Sequence, residues 1–518
     1  MHSFLARFSS EIKGTLSGFD RVRFRGTIRW LASLRGMSTY LATMGLLLKD
    51  FTAWGKDKTN QIQKATERLA ENTGRPLIYL PSSSEGKESR ALEIAQADGI
   101  TQGLVAVFKC VEPCHTFKVG PNVASKMLEL RQLQAKCSHL YFYLLDPQLG
   151  LTHLRLQTWA PFTTHVCING REWLSRQLTR EDLGFEQRDN CFVHVDNVRR
   201  AQALLSRQLR TNWSRLLDRF VASFHPAHRT MFSEYPLEYY WSAEETEWAT
   251  DVMFRSPEAL TRIYPKLLHH GITTFGSRDV LRFLGQPPII RIRSHREIVS
   301  TVRKRPEGTR LKHVSNRNSI KMYDKQESVL RVETTINNPR DMKVYRTREG
   351  DPRGPQSWQC LRKGVADLHR RAELSQKSNE RYLDALAAVE HDQPLADTLR
   401  TLCQPTEYRG RRVRALQPLG ECDGVLLATV IRGDFAILGF RNRDLRPLLF
   451  GTDAPTPEEA KRQASKITRL LRMLRAHGII QKVPKTHRYT VTQAGRQAIV
   501  ALQTAKQAST SKLLSIAA

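Results

Sequence analysis

The chain has 518 residues, of which 81 are Lys or Arg and 51 are Asp or Glu, so its formal net charge at pH 7 is +30. A surplus of this size favours a polyanionic partner, nucleic acid above all, and the basic residues are spread along the chain rather than gathered in one tail. With 40% hydrophobic residues, a chain of this length predicts about two to four domains.

Signals for export or membrane insertion are not evident in the sequence. The apolar run 46–48 is broken by Lys49 and Asp50, and Arg7 interrupts the short apolar stretch near the start. Eight cysteines in such a chain predict reduced thiols. We therefore expect a cytoplasmic protein without a membrane partner.

The first third of the chain predicts an α/β domain over residues 1–215. Residues 26–75 have a helical pattern, and strand-like apolar runs follow it. The segment 19–26 alternates arginine with apolar residues and has two interpretations: a strand with a basic face against phosphates, or an edge strand whose charges discourage aggregation. The strand-like runs are 76–80, 103–108, 140–144, 151–159 and 164–170.

One group of thiols and imidazoles suggests a metal. Cys110, Cys114, Cys137 and His139 could supply four ligands for tetrahedral zinc if the intervening chain folds back on itself. Their spacing departs from the usual two-residue knuckle, and a small buried thiol at the end of a strand is unremarkable. The favoured interpretation is structural.

Residues 216–400 predict a central α+β domain. Glu247 and Asp251 lie four residues apart on an expected helix, where they could hold a divalent cation, although a solvated acidic face is the simpler interpretation. Further along the chain, alternation predicts a β-hairpin. Its first strand places Lys321, Tyr323 and Lys325 on one face, and its second places Arg331 and Glu333 on one face.

This hairpin resembles the core of replication initiators from rolling-circle plasmids and filamentous phages. Tyr323, Asp324 and Lys325 match the motif of the first strand, and Arg331 and Glu333 match that of the second. The match covers about thirty residues. The chain as a whole is also similar to a bacterial family associated with mobile elements, a similarity that implies no particular activity.

The resemblance to the initiators implies nicking by a tyrosine that becomes joined to DNA. By position Tyr345 would be the nucleophile, with Lys325 or Arg331 stabilising charge on the phosphoryl oxygens and Glu333 holding a metal. We therefore expect Tyr345, Lys325 and Glu333 to be catalytic. The alternative is a structural hairpin with cross-strand charge pairs.

The same resemblance implies Mg²⁺ or Mn²⁺ as the metal. The expected ligands are Glu333, Asp324 and His313, and either His313 or His295 could substitute for the histidines that the family uses. The sequence departs from the family here, because the pair of histidines around one hydrophobic residue that many nicking enzymes use is absent.

The last hundred residues predict a winged helix over 431–518, after a basic linker at 401–430. A short helix from Gly439 is expected to end at Pro447, and Thr456 caps a long helix that Gly478 ends. Strands at 479–483 and 488–492, joined by a basic turn, complete the pattern. This order of elements resembles the winged-helix transcription regulators.

The predicted fold is thus α/β multidomain with a C-terminal winged helix. The predicted function is nucleic-acid binding, DNA more than RNA, of the mobile-element or plasmid-replication type with initiator-like nicking. The alternatives are a non-catalytic winged-helix regulator and a protein that binds structured RNA. The predicted nucleic-acid-binding residues are Arg331, Arg441, Arg443, Lys461, Arg462, Lys466, Arg469, Arg472, Lys485, His487 and Arg488.

Overall fold

The structure of the protein is a computed structural model. It describes residues 1–507 with a few gaps. The residues left out are 83, 85, 226, 287–296, 349, 352, 388–394, 433–434, 436–438, 452–455, 485 and 508–518.

The chain forms two compact units, residues 1–389 and 390–518. The fold is mixed α/β, as predicted, and most strands of the first unit belong to one large sheet. The strands of this unit are β1 Ile12–Ile28, β2 Leu77–Tyr79, β3 Gly103–Asn122, β4 Met127–Asp146, β5 Gly150–Gln157, β6 Thr164–Asn169, β7 Phe185–Arg188, β8 Cys191–Val195, β9 Tyr239–Phe254, β10 Ile298–Arg305, β11 Gly308–Ser315, β12 Asn318–Lys325, β13 Val329–Ile336, β14 Lys343–Arg346 and β15 Ser357–Cys360.

The large sheet has eleven strands in the order β10-β11-β12-β13-β9-β1-β6-β5-β4-β3-β2. All neighbours pair antiparallel except β2 and β3. Because β9 pairs with both β1 and β13, segments predicted to lie in separate domains, 1–215 and 216–400, share one sheet. Sequence alternation identifies single strands well, but it does not show that a strand from one segment will insert beside a strand from another.

Helices cover parts of both faces of this sheet. One core lies between β11, β12, β13 and the helix Leu368–Leu386, where His313, Ile320 and Val332 point toward Tyr382 and Leu383. The helices of this unit are α1 His2–Arg7, α2 Leu34–Thr43, α3 Phe51–Thr73, α4 Lys87–Ala97, α5 Gly170–Arg180, α6 Val198–Ser206, α7 Trp213–Phe224, α8 Ala227–Met231, α9 Pro257–Thr273, α10 Ser277–Phe283 and α11 Leu368–Leu386.

Two local predictions for this unit are corrected. Glu247 and Asp251 lie on β9 rather than on a helix, because pairing with a strand on either side outweighs their helical spacing. The segment 19–26 is part of β1, which lies inside the sheet, so the edge-strand interpretation is wrong.

The second unit contains the predicted C-terminal hairpin and long helix. Thr456 Oγ1 accepts a hydrogen bond from the backbone N–H of Glu459, as expected of a cap. The short helix does not end at Pro447 but continues to Phe450. Pro447 is the sixth residue of this helix, where it removes one backbone N–H donor and leaves the first turn in place. The elements are α12 Leu395–Leu402, β16 Thr406–Tyr408, β17 Arg411–Val413, α13 Glu421–Val430, α14 Asn442–Phe450, α15 Pro457–Ala476, β18 Ile480–Lys482, β19 Tyr489–Val491 and α16 Gln493–Gln507.

The stretch 401–430, expected to be a linker, carries β16, β17 and α13 of this unit. Its arginines are partly used within the fold, since Arg414 pairs with Asp423 at 2.7 Å. Across the described ranges of the chain, no helix has the length and apolarity needed to cross a membrane.

Candidate functional site

The predicted hairpin is present as β12 and β13, and its register places a set of polar side chains on one face of the sheet. Lys321 lies opposite Glu333, and Tyr323 lies opposite Arg331. On the next strand, Glu333 and Arg331 lie opposite Ala249 and Asp251 of β9. Because side chains alternate along a strand, one face of the sheet carries the charged residues Lys321, Lys325, Arg331, Glu333, Glu247 and Asp251, and the apolar residues between them face the core beneath α11.

A bulge in β1 adds a carboxylate to this face. The register of β1 against β9 shifts between Phe19 and Arg21, so Asp20 is the extra residue. The start of α5 approaches the bulge closely, because a Cβ at Gly170 would lie 1.8 Å from the carbonyl oxygen of Phe19. The Asn169 side chain caps this helix by accepting hydrogen bonds from the backbone N–H groups of Arg171 and Glu172, and the Arg171 side chain reaches Asp251 of the sheet.

Two arginines and two aspartates form a buried network at the base of the face. Arg331 donates to both carboxylate oxygens of Asp251, at 2.6 and 2.9 Å, and to Asp20 at 2.9 Å. Arg171 lies 2.9 Å from Asp251. Burial alone would raise the pKa of Asp251, but Arg171 and Arg331 outweigh it and lower that pKa below its ordinary value.

A second group of charges lies beside the first. Lys321 Nζ is 2.6 Å from Glu333 Oε1 and 3.0 Å from Glu247 Oε1, and Arg21 lies 3.2 Å from Glu247. Burial opposes the charge on Lys321, but the two carboxylates prevail and raise its pKa above the ordinary value. Oxygen atoms of Asp20, Glu247 and Glu333 lie within 4.8 Å of one another, close enough to share one cation.

Asp20 and Arg331 of the first group, together with the second group, line a polar cavity of about 580 Å³. Arg310, Lys312 and Arg317 form its basic rim at β11 and the turn that follows. Among the described residues, none of the three pairs with a carboxylate, and Arg310 Nε is buried without a hydrogen-bond partner. Burial, and then the charges of Lys321 and Arg310, lower the pKa of Lys312.

Tyr323 lies between the basic rim and the carboxylates. It faces Arg310 directly across β11 and β12, and the guanidinium carbon is 5.9 Å from the centre of its ring. Burial, followed by the charge of Glu333, raises the pKa of the phenol, so the hydroxyl is protonated at neutral pH. Lys325 also lines the cavity, with Nζ 3.1 Å from Asp189.

The residues predicted to be catalytic are brought together only in part. Glu333 and Lys325 line the cavity, but Tyr345 does not. Tyr345 lies on the separate β14–β15 hairpin, where its side chain is 57% exposed and stacks edge-on against Trp358 at 5.7 Å. Position in the chain identified this tyrosine, but strand pairing places Tyr323 at the charged centre.

The three predicted metal ligands do not converge. Asp324 and His313 lie on the face of the sheet opposite to that of Glu333, since they alternate with Tyr323 and Lys312. His313 is fully buried, with Nδ1 2.7 Å from Ser300 and Nε2 3.2 Å from the hydroxyl of Tyr382. Burial lowers its pKa to about 4, as expected for a neutral core histidine. His295 is outside the described residues.

The predicted nucleic-acid-binding residues fall into two groups. Arg331 is 1% exposed and is paired with Asp20 and Asp251 at the wall of the sheet cavity in the first unit. The side chains in the second unit remain at its surface or partly so, and Lys485 is outside the described residues. Exposed among them are Arg443, Lys461, Arg462, Lys466, Arg469, Arg472 and His487, whereas Arg441 and Arg488 are half-buried.

The candidate zinc ligands lie on a different part of the sheet. Cys114, Cys137 and His139 meet on one face of β3 and β4, with ligand atoms within 4.8 Å of one another. Cys110 is not part of this group, because its thiol donates to Glu112 at 3.2 Å. All eight cysteines are free.

Several residues of the cavity were not predicted from the sequence as members of one site. Asp20 follows a phenylalanine in an arginine-rich strand, and only the bulge turns it toward the carboxylates. Glu247 and Asp251 were noted as a possible cation pair, but on the wrong element. The sequence feature that could have placed Glu247 and Asp251 in one site is the presence of charged residues at alternate positions. Such a pattern is unusual in a strand that lies between two other strands.

No protein-family model matches the sequence, and comparison with curated proteins and with solved structures found no significant similarity.

Proposed function

We propose that the protein binds nucleic acid and that the sheet cavity receives a backbone phosphate for metal-dependent cleavage. One observation carries this proposal. Three cations without carboxylate partners among the described residues, Arg310, Lys312 and Arg317, lie beside three converging carboxylates in one cavity. A phosphodiester needs both, because cations hold its oxygens while carboxylates hold a divalent metal.

The basic rim is the proposed phosphate-binding site. A phosphate there would give Arg310 Nε the acceptor that it lacks in the described structure. It would also offset the mutual repulsion of Lys312, Lys321 and Arg310, which contributes to the lowered pKa of Lys312. An anion at this position therefore relieves an electrostatic cost that the folded chain bears without it.

Asp20, Glu247 and Glu333 would hold Mg²⁺ or Mn²⁺, whose oxygen preference they match. The cation would supply charge to stabilise the phosphoryl oxygens. Lys321 bridges two of these carboxylates, so metal binding requires its ammonium group to withdraw from between them. The displaced ammonium group remains in the cavity, where it can contact a phosphate oxygen.

Tyr323 replaces Tyr345 as the proposed nucleophile. Its Oη would bond to phosphorus while the bond from phosphorus to the leaving oxygen breaks. The phenolic proton would pass to a carboxylate of the cavity, and the leaving oxygen would take up a proton from water. Tyr323 lines the cavity that holds the carboxylates and the free cations, whereas Tyr345 does not. The nicking chemistry implied by the resemblance to replication initiators is thus retained with a different tyrosine.

A second candidate function is nucleic-acid binding without cleavage. The observation that favours it is that Asp20, Glu247 and Glu333 are each already paired with Arg or Lys. In this case the β12–β13 hairpin has only a structural role, and the exposed cations of α15 bind the nucleic acid in the manner of a winged helix. The helix–helix–hairpin order of the second unit supports that use of α15.

The experiment is a nicking assay with the full chain. Labelled single-stranded and supercoiled DNA are incubated with Mn²⁺, and the protein is then denatured and checked for attached DNA. We expect a covalent adduct in the wild type and in Tyr345→Phe, and none in Tyr323→Phe, since only the reacting hydroxyl is removed. Binding of the same DNA should be unchanged in both variants.

Three results would contradict this account. An adduct lost in Tyr345→Phe but kept in Tyr323→Phe would return the nucleophile to the hairpin β14–β15. Cleavage that survives both substitutions would mean that water attacks instead. The complete absence of cleavage on DNA and RNA, with binding intact, would leave the non-catalytic function.

A further inference from the structure

We infer that Cys114, Cys137 and His139 form a binding site for a soft divalent metal ion, with Zn²⁺ the natural occupant by ligand chemistry. Their ligand atoms lie within 4.8 Å of one another on one face of β3 and β4. Two thiolates and one imidazole are a ligand set that suits zinc and disfavours Mg²⁺ or Ca²⁺. This site is independent of the carboxylate cavity and of its proposed function.

The strand register brings the three residues together. Cys114 lies opposite Ala135, so it is the diagonal neighbour of Cys137, which lies opposite Glu112. His139 follows Cys137 by two residues and therefore projects from the same face. The long antiparallel pairing of β3 with β4 is the fold-back that the sequence alone could not establish.

His139 provides the independent evidence for a ligand. It is 0% exposed, and its Nδ1 is 3.1 Å from the carbonyl oxygen of Cys137, to which that nitrogen donates in the neutral ring. Its Nε2 is buried and has no hydrogen-bond partner in the described part of the chain. Histidines that bind metal commonly donate one ring N–H to a backbone carbonyl and coordinate through the other nitrogen, which for His139 would be Nε2.

The surroundings are compatible with charge at this site. Arg155 is the nearby cation, and Glu112 neutralises it through contacts of 2.8 and 3.1 Å. On binding, Cys114 and Cys137 would each release a thiol proton to solvent, so that two thiolates balance a divalent cation. No fourth His, Cys, Asp or Glu of the described chain joins the group, which leaves one position of a tetrahedral ion for water.

The test is metal titration of the reduced, metal-free full chain. With Co²⁺ as the probe, we expect saturation at a single equivalent and an intense sulfur-to-cobalt charge-transfer band, which Zn²⁺ then removes by displacement. The double variant Cys114→Ser/Cys137→Ser should lose the band. His139→Gln should keep thiolate ligation but weaken binding at least about tenfold, since an amide is a poor replacement for imidazole.

Cys360→Ser is the matched control, because Cys360 is an exposed free cysteine on β15, outside the proposed site. It should bind Co²⁺ as the wild type does. X-ray absorption of the zinc-loaded wild type tests the same ligands without a substitution that could disturb folding. It should show sulfur neighbours at about 2.3 Å together with nitrogen or oxygen at about 2.0 Å.

Failure of Co²⁺ and Zn²⁺ to bind the reduced chain would overturn the inference. So would an unchanged charge-transfer band in the double cysteine variant, or a zinc environment of oxygen and nitrogen alone. A disulfide between Cys114 and Cys137 that forms in air, with no metal bound after reduction, would assign the pair to redox chemistry instead.

Discussion

Two clusters of side chains that could ligate a metal lie on this sheet, and they differ in how fully their ligand atoms are paired. In the cavity, Glu333 is bonded to Lys321, and Asp20 is bonded to Arg331. At the β3–β4 cluster, His139 keeps one ring nitrogen buried and unpaired. A buried nitrogen without a hydrogen-bond partner destabilises the fold, and a bound metal ion would remove that cost. A carboxylate that is already paired must first lose its partner before it can bind a metal ion.

Convergence of ligand atoms does not by itself set the affinity of a cluster for a metal ion. Both clusters bring three ligand atoms within 4.8 Å. We expect the thiol–imidazole cluster to bind its ion tightly and the carboxylates to bind weakly, in exchange for Lys321. Weak binding of this kind suits a site that assembles with a substrate, since a phosphate on the basic rim would attract both the ammonium group and the metal.

The largest effect on stability is expected from Arg331→Met, because this substitution leaves the buried carboxylates of Asp20 and Asp251 with less positive charge beside them. Loss of one partner of a buried ion pair costs about 3–5 kcal/mol in free energy of unfolding. Chemical denaturation of the full chain measures it. An equal substitution at the exposed Arg443, which has no buried partner, serves as the control and should change stability little.

For the same variant, we also expect the loss of stability to depend on pH. The folded-state pKa of Asp251 is lowered, so the stability that its charge contributes is present above its unfolded pKa and is lost as pH falls through the folded value. The difference in free energy of unfolding between wild type and Arg331→Met should therefore be largest near neutral pH and shrink in acid. A difference that grows in acid would contradict this assignment of charges.

A smaller effect is expected from Lys321→Met. Removing the ammonium group that bridges Glu247 and Glu333 should tighten Mn²⁺ binding at the cavity by about tenfold, or ~1.4 kcal/mol. Isothermal titration, or the rise in Tm with added Mn²⁺, measures it. Zinc binding at Cys114 and Cys137 should not change. Unchanged Mn²⁺ affinity would mean that the carboxylates are not the site of this ion.

The smallest effect on metal binding is expected from His313→Gln. The side chain lies on the opposite face of the sheet and bonds to Ser300 and Tyr382, so Mn²⁺ affinity should stay as in the wild type. Stability should fall by about 1 kcal/mol for a disturbed buried hydrogen bond. A loss of Mn²⁺ affinity would restore His313 to the ligands expected from the sequence.

The sequence predicted local elements better than it predicted their assembly. The hairpin with Lys321 opposite Glu333 follows from alternation and a short turn, and the Thr456 cap follows from residue type. The insertion of β9 between β1 and β13 does not, because it joins residues far apart in the chain. The bulge at Asp20 also depends on that pairing, so the carboxylate cluster could not be predicted as a unit.

The candidate site shows the same limit. Lys325 and Glu333 were predicted from a local resemblance and do line the cavity, whereas Asp324 and His313 alternate onto the other face. Alternation within β12 would have been enough to separate Asp324 from Glu333. The choice between Tyr323 and Tyr345 needed the position of the β14–β15 hairpin, which no local pattern gives.

The most direct test of the central claim, that the cavity receives a nucleic-acid phosphate, is the salt dependence of binding. The triple variant Arg310→Ala/Lys312→Ala/Arg317→Ala is compared with a control that removes three exposed cations of α3, Lys56→Ala/Lys64→Ala/Arg68→Ala. The account predicts that the slope of log affinity against log salt falls by about three in the cavity variant, roughly one per lost phosphate contact, and stays unchanged in the control. Equal slopes for the wild type and the cavity variant, with both folded, would contradict it.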